Sequence, residues 1–289
     1  MKFFLVNLSS KYKGIKYFPF ILVFLFVLCI NIVFFSILNF QHDSSLRLIQ
    51  SSSGSSKTEN EKVKVAIVID DFGQSRSGIR EMMSIDRHLT FAVMPFLTYS
   101  QTDAETAYRK GYEVIVHLPM EPNKGKASWL GPRPILTALN DDEVQKIVID
   151  AFESVPLAAG ANIHMGSKAS ENERIMSDIL DIIKIKGVYF LDSKTSSKDI
   201  ARKIAESKGV LFFERDVFLD GTQSKDFIKK RLKQAGEIAL KRGYSIAIGH
   251  VGTEGGKVTA DAILETLSWF DDHNIELVYV SELFSSSVK

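Results

Sequence analysis

The stretch VKVAIVIDD, residues 63–71, decides the fold that the sequence predicts. Its β-branched run is too short for a helix, and its near-continuous apolar character is typical of a strand buried on both faces of a parallel sheet. Asp70 and Asp71 close the run. Because the chain begins to turn at the end of a strand, both carboxylates can enter one pocket, where one binds a metal and the other takes a proton from water. The pair is equally consistent with a simple turn that Asp71 caps.

Runs of the same kind recur along the chain and alternate with helical patterns. The strand-like runs are LTFAVM (89–94), EVIVH (113–117), GANIH (160–164), GVYFL (187–191), GVLFF (209–213), SIAIGH (245–250) and ELVYV (276–280). The helical patterns cover 101–110, 141–154, 171–185, 196–207, 223–242 and 259–273. Two helix starts carry predicted capping boxes, Asn140 with Glu143 and Ser170 with Glu173. The alternation predicts an α/β domain over residues 63–289, a (β/α) barrel with seven or eight parallel strands.

Further side chains suited to metal binding or proton transfer stand where these runs end: His117, His164, Asp192 and His250. Active sites of parallel α/β folds form at the carboxyl ends of the strands, so we expect these residues to share one site with the paired aspartates. A single buried Asp or His is usually structural. Five strand ends of this kind in register favour a functional site instead.

The N-terminal part of the chain has a different character. Residues 17–40 are uncharged, and they have about the length that a helix needs to cross a hydrocarbon core of ~30 Å. Residues 1–16 carry four lysines and no acidic residue, which predicts a cytoplasmic start and a domain outside the cytoplasm, periplasmic or extracellular. The length of the apolar segment favours an uncleaved membrane anchor over a signal peptide. Residues 41–62, rich in Ser, are expected to form a flexible tether.

Composition excludes several classes of partner and chemistry. The net charge is +1, and neither a GxxxxGK[ST] nor a GxGxxG motif occurs, so we expect neither nucleic acid nor a nucleotide as a partner. The single cysteine, Cys29, lies in the predicted anchor. The predicted domain therefore has no disulfide and no thiolate ligand, and a metal there must be held by histidines and carboxylates.

Seven short motifs resemble the divergent polysaccharide deacetylase family, in the order in which that family has them: IDDFG (69–73), FAVMP (91–95), GYEVIVHLPMEP (111–122), NIHMGS (162–167), FLDS (190–193), RDVFLD (215–220) and IGH (248–250). The family belongs to the superfamily of NodB-like carbohydrate deacetylases, and the resemblance covers about residues 63–284. It implies a distorted (β/α) barrel. It also implies a hydrolase that uses a divalent metal, zinc, to remove acetyl groups from an envelope polysaccharide or peptidoglycan.

The resemblance implies roles for individual residues. Asp70 matches the catalytic base of the family, and Asp71 matches a metal ligand. His117 matches the first ligand histidine, and His250 matches the general acid. In the ordinary deacetylases a second ligand histidine follows the first by four residues, and this chain has Glu121 there.

The third metal ligand is therefore open between two residues. Glu121 offers a carboxylate, whereas His164, in the NIHMGS motif, offers an imidazole from the next strand, and we prefer His164. Two other positions depart from the family pattern. Ile163 stands where the motif usually has a second Asn, and Val251 stands where Pro usually follows the last histidine.

Other residues are expected near the metal or on the substrate: Glu121, Asn162, Asp192, Arg215 and Asp216. Asp192 is a candidate to orient a ligand histidine. Arg215 and Asp216 either hold the base in place or bind sugar, or they form a loop salt bridge. Trp129, in the loop KASWLGPRP (126–134), either stacks on a sugar ring or packs against the protein.

Two other functions stay open at the level of the sequence. Because the second histidine of the ordinary metal site is missing, the chain also fits a catalytically weak relative that binds carbohydrate or an envelope protein. A glycosidase on the same barrel would rely on two carboxylates and depend little on metal.

Overall fold

The computed structural model of the protein describes residues 62–252 and 255–286. Nine strands in these ranges form one sheet: β1 Val63–Phe72, β2 Thr90–Val93, β3 Glu113–Met120, β4 Gly160–Met165, β5 Tyr189–Asp192, β6 Phe212–Glu214, β7 Val217–Phe218, β8 Tyr244–His250 and β9 Ile275–Val278. The same ranges contain seven α-helices: α1 Ile79–Met82, α2 Ser100–Arg109, α3 Asp141–Ser154, α4 Glu173–Lys186, α5 Ile200–Lys208, α6 Lys225–Arg242 and α7 Lys257–Asp272.

The membrane prediction concerns residues outside these ranges. Among the helices that the structure describes, none is both long and apolar enough to cross a membrane. The predicted anchor at 17–40, the basic segment at 1–16 and the tether up to residue 61 all lie outside the described residues.

The strands confirm the predicted parallel sheet. Eight of them lie side by side in the order β6-β5-β4-β3-β2-β1-β8-β7, and all neighbours are parallel. Strand β9 pairs with the first half of β1, while β2 pairs with the second half from Val68 opposite Thr90. One strand, β7, was not predicted, and it consists of only two residues. The run predicted at 209–213 forms a strand only from Phe212 onwards. Gly209 is used to end α5 in a left-handed conformation, which delays the strand.

The two edge strands of the sheet, β6 and β7, are separated in the chain only by Arg215 and Asp216. The Arg215 amide donates to the carbonyl of Asp192 in β5 (3.0 Å), and the Asp216 amide donates to the carbonyl of Ile246 in β8 (2.8 Å). The chain thus changes its hydrogen-bonding partner from one edge of the sheet to the other within two residues. The expected distorted barrel is a curled half-barrel, open between β6 and β7.

Burial on both faces explains why the strands are apolar at nearly every position. In β1, Val65, Ile67 and Ile69 face the large core shared with the helices, whereas Ala66 and Val68 face a smaller core inside the curl of the sheet. All five side chains are fully buried. The strands are therefore fixed by packing on two sides, and their carboxyl ends lie at one rim of the half-barrel.

Helix starts were predicted with mixed success. At α3 the Asn140 side chain accepts from the Glu143 amide, and the Glu143 carboxylate accepts from the Asn140 amide, so this capping box is confirmed. The box predicted at Ser170 is wrong. Ser170 lies in a 3-10 turn, and the Asn172 side chain caps α4 by accepting from the Ile175 amide (3.2 Å). Asn is as good a cap as Ser, and it stands directly before the first helical residue.

Candidate metal centre

The paired aspartates at the end of β1 point into the same site because the strand is irregular there. The register between β1 and β2 shifts between Ile69 and Phe72, and Asp71 has a positive φ of 70°. This conformation is uncommon for a residue with a side chain. It turns the Asp71 carboxylate to the side on which Asp70 lies, and both carboxylates approach the Nε2 atom of His117, at 3.7 Å from Asp70 and 3.3 Å from Asp71.

Three side chains from three strands meet in a small triangle. Asp71 Oδ1 in β1 lies 3.3 Å from His117 Nε2 in β3 and 3.1 Å from His164 Nδ1 in β4. The two ring nitrogens lie 3.1 Å apart. Two ligand atoms of a tetrahedral zinc ion stand roughly 3.3 Å apart, which follows from bonds of about 2.0–2.1 Å. The triangle therefore has the size of a zinc site.

The hydrogen bonds around His117 fix which of its ring nitrogens carries the proton. Asn162, opposite His117 in β4, donates from Nδ2 to Asp70 Oδ1 (2.8 Å), so its Oδ1 must face His117 Nδ1 (2.7 Å). An amide oxygen only accepts, so Nδ1 of the ring carries the proton. The lone pair of Nε2 is left pointing at the Asp71 carboxylate.

The second histidine is fixed by the main chain. His164 Nε2 lies 3.0 Å from the carbonyl oxygen of Trp129, which only accepts, so Nε2 carries the proton and Nδ1 presents its lone pair. This lone pair faces Asp71 and His117. Among the described residues, Asp71 Oδ1 is buried and has no hydrogen-bond partner. Three lone pairs that converge in this way, one of them from a carboxylate, form a site suited to a cation.

The charge of the site suits such a cation. Burial alone would raise the pKa of Asp71, but the two histidines hold it well below its usual range, so the carboxylate is ionised. Burial would lower the pKa of His117, yet Asp70 and Asp71 raise it, which shows how strongly the site attracts positive charge. One carboxylate and two imidazoles are a ligand set that zinc accepts, and three protein ligands leave a coordination position open for catalysis. The residues present therefore fit the divalent metal that the resemblance implies.

His250 stands beside the metal centre at the end of β8, opposite Asp70 in the register of β1. Its Nδ1 lies 2.8 Å from Asp220 Oδ1. The Asp220 carboxylate therefore binds the Nδ1 side of the ring and not Nε2. Asp220 is fixed in turn by the His250 amide (2.7 Å) and the Thr259 hydroxyl (2.9 Å). Burial would lower the pKa of His250, but Asp220 outweighs it and the pKa is raised to about 9.

Asp220 is a site residue to which the sequence reasoning assigned no role. The signal was present, because VFLD at 217–220 ends in Asp as VYFLD at 188–192 does. Of the two, the structure uses Asp220 to hold a histidine. Asp192 does not take the role expected for it: its carboxylate accepts from the Lys194 amide (2.7 Å) and contacts no histidine among the described residues. Asn162 is the residue that orients His117.

Glu121 lies outside the triangle, although it occupies the position of the second histidine in the ordinary deacetylases. One carboxylate oxygen accepts from both the amide (2.7 Å) and the hydroxyl (2.6 Å) of Thr137, and the other accepts from Lys168 (2.6 Å). These bonds, with that to Lys168 the largest, lower the pKa of Glu121 to about 2. The structure brings His164, and not Glu121, to the Asp71 and His117 pair.

Arg215 and Asp216 do not pair with each other. The Arg215 guanidinium donates to the carbonyl of Ser193 (2.7 Å) and lies over the Phe218 ring, so it ties the end of β5 to β7. Asp216 pairs with Arg242 (2.6 Å), the last residue of α6. This pair lies near the start of β8, whereas His250 is the last residue of that strand. The predicted salt bridge between the two residues is therefore wrong. A role for Arg215 or Asp216 in holding the base or binding sugar stays a prediction.

Two uncharacterised bacterial proteins are similar in sequence to this chain. The uncharacterised protein YibQ of Escherichia coli K12 is 34% identical over 187 residues, 65% of this chain and 58% of YibQ. An uncharacterised protein of Haemophilus influenzae Rd is 32% identical over 187 residues, 65% of this chain and 66% of that protein. The chain thus spans less than two thirds of the length of both curated relatives.

A solved structure and a family model complete the comparison. The crystal structure of the uncharacterised protein ATU2773 from Agrobacterium tumefaciens C58 superposes with a TM-score of 0.67 at 24% identity, over 79% of this chain and 92% of that chain. That likeness shows a shared fold. The model of divergent polysaccharide deacetylases matches residues 67–284, which include every side chain of the metal centre. The resemblance of the motifs is thereby confirmed, and the chain belongs to the divergent polysaccharide deacetylase family.

Proposed function

We propose that the domain is a metal-dependent hydrolase that removes acetyl groups, from an amide or an ester, from a carbohydrate of the cell envelope. The observation that carries the proposal is the convergence of three lone pairs, from Asp71, His117 and His164. Two groups suited to proton transfer flank them: the buried Asp70, and His250, which the Asp220 carboxylate holds. Membership of the deacetylase family supports carbohydrate as the substrate class.

The three converging residues would hold the metal, and zinc suits them best. A divalent cation of this kind, when bound, lowers the pKa of water and polarises a carbonyl group. Asn162 contributes to the same task, because it keeps the His117 lone pair in place and fixes Asp70 beside it.

Asp70 and His250 divide the proton transfers between them. Asp70 takes a proton from the attacking water, and burial suits it to this role by raising the pKa of its carboxyl group. With a pKa raised to about 9, His250 is protonated at neutral pH. It donates that proton from Nε2 to the leaving nitrogen or oxygen as the bond to the acyl carbon breaks, which releases acetate and a free amine or hydroxyl. Positioned acid and base groups of this kind each contribute about 10²–10⁴-fold to a rate.

The location of the domain is part of the same proposal. An uncharged segment at 17–40, preceded by four lysines, supports an anchor that leaves the domain outside the cytoplasm, where envelope polymers are found. A reporter fused after Lys289 that works only in an exported compartment should be active. Activity of a reporter that works only in the cytoplasm would reverse the orientation.

The test of the function compares metal content and acetate release in the full chain and in two variants. Tetra-N-acetylchitotetraose and acetylated peptidoglycan are the substrates. His164→Ala should lose the metal and the activity, whereas Glu121→Ala should keep the metal, because Glu121 binds Thr137 and Lys168 instead. Loss of metal from Glu121→Ala alone would assign the third ligand to Glu121. A parent chain that holds no metal and releases no acetate would refute the hydrolase and leave a carbohydrate-binding relative.

A further inference from the structure

Trp129 is an aromatic residue that the fold leaves exposed. Trp129 lies in the loop between β3 and α3, and 53% of the residue is exposed to solvent. Tryptophan has a large apolar surface, and burying it is one of the most favourable contributions that a single side chain makes to a fold. Because more than half of the residue is exposed, filling the core is not its main role, which disfavours the packing alternative for this position.

The backbone of Trp129 places the residue at the rim of the metal centre. Its carbonyl oxygen lies 3.0 Å from His164 Nε2, so only one side chain separates it from the converging lone pairs. The backbone here is fixed. Residues 127–129 form a 3-10 turn, in which the Trp129 amide donates to the carbonyl of Lys126 (3.0 Å), and the following Leu130 is buried.

The indole ring is supported by its own loop. A Cβ atom added at Gly125 would lie 3.7 Å from Cε3 of the ring and 2.8 Å from the Met165 methyl group. Gly125 therefore lies beside both groups. The ring is at an ordinary contact distance from the added Cβ, and the Met165 methyl group is the one that a side chain there would displace. The Lys126 ammonium lies 5.7 Å from the centre of the ring. The ring thus lies against its own loop, whose main chain contacts His164, and more than half of the residue is exposed to solvent.

A flat, supported and exposed indole suits the apolar side of a sugar ring. A pyranose presents C–H groups on its faces and hydroxyl groups around its edge, so a face can pack on an aromatic ring while the hydroxyls stay in water. Aromatic faces carry partial negative charge and attract such C–H groups. We infer that Trp129 is the platform on which the pyranose ring bearing the acetyl group packs next to the metal centre. The inference rests on the proposed function and names the sugar-binding residue of that site.

The chain offers a clean spectroscopic test. It has two tryptophans, and the second, Trp269, stacks on His273 at the end of α7. In the full chain with Trp269→Phe, Trp129 is the sole tryptophan reporter. Titration of this metal-loaded variant with tetra-N-acetylchitotetraose should give a saturable change in emission, with binding measured independently by calorimetry. Trp129→Ala should raise the dissociation constant and KM by about tenfold with kcat within about twofold, and Trp129→Phe should restore most of the affinity.

The outcomes separate this inference from the hydrolase proposal. Trp129→Ala keeps the main-chain carbonyl that holds His164, so its metal content should equal that of the parent and serves as the folding control. A saturable emission change without acetate release would support the platform and refute the hydrolase. Acetate release with an unchanged KM in Trp129→Ala, or calorimetric binding with unchanged emission, would overturn the platform alone. Absence of any binding of the tetrasaccharide would overturn it as well.

Discussion

Asn162 should control both metal affinity and catalysis without touching the metal. It is fully buried, and it joins His117 (2.7 Å) to Asp70 (2.8 Å) through the two ends of one amide. Replacing it with leucine keeps a similar volume but removes both hydrogen bonds. The His117 ring would then lose the acceptor that keeps its proton on Nδ1, and Asp70 would lose its donor.

The expected magnitudes follow from these two bonds. Removing a partner that orients a ligand histidine typically weakens metal binding by about 10–100-fold. Each buried polar atom left without a partner costs about 1–3 kcal/mol, so the loss of both bonds in Asn162→Leu should lower the free energy of unfolding by roughly 2–6 kcal/mol. Asn162→Asp should behave differently. It keeps an acceptor for His117 and therefore the metal, but it places a second carboxylate next to Asp70 and should slow hydrolysis.

Metal affinity is measured by competition with a chelator and stability by urea denaturation. Ser245→Ala is the control, because the Ser245 hydroxyl is also fully buried and donates to the Ala235 carbonyl (2.7 Å). It lies near the start of β8, away from the centre, so it should lower stability and leave metal affinity unchanged. Equal affinity in Asn162→Leu and the parent would refute the account of how His117 is oriented.

Three further predictions concern the surroundings of the centre. The hydrolysis rate should fall as the pH rises through about 9, where His250 loses its proton, and Asp220→Asn should move that fall to lower pH in a rate–pH profile. Gly255→Ala should reduce kcat, because a Cβ there would stand 2.4 Å from Asp220 Oδ2, whereas Gly221→Ala meets no atom within 4 Å and should be neutral in the same assay. The lowered pKa of Glu121 gives stability that is present above the ordinary value of 4.5 and lost as the pH falls towards about 2. The melting temperature of Glu121→Gln should therefore fall less on acidification than that of the parent. Equal falls would contradict a stabilising role for the bonds of Glu121 to Thr137 and Lys168.

Much of the fold could be predicted because short apolar runs in the sequence determine where the strands form. Apolar runs alone placed Asp70, His117 and His164 near the carboxyl ends of their strands, and parallel strands bring those ends to one rim. The strands continue further than predicted, to Phe72, Met120 and Met165. The choice of His164 over Glu121 also agrees with the geometry. In these cases the residue type and its distance from a strand carry the information.

Other features have no local signal. Asp71 has a positive φ, which turns its carboxylate beside that of Asp70. The residue type alone does not predict this conformation. Asp220 reaches His250 across 30 positions, and the pairing of Asp216 with Arg242 depends on how β7 meets β8. Such contacts are set by the register of strands that are distant in the chain.

The bond between the Trp129 carbonyl and His164 bears on how proteins of this kind diverge. Every amino acid has a main-chain carbonyl, so a mutation at position 129 replaces the surface beside the centre and leaves the partner of His164 in place. The three converging side chains belong instead to packed strands, where few replacements are tolerated. On the proposed function, single mutations in this loop would change the surface that contacts the sugar while the ligands of the metal centre stay in place.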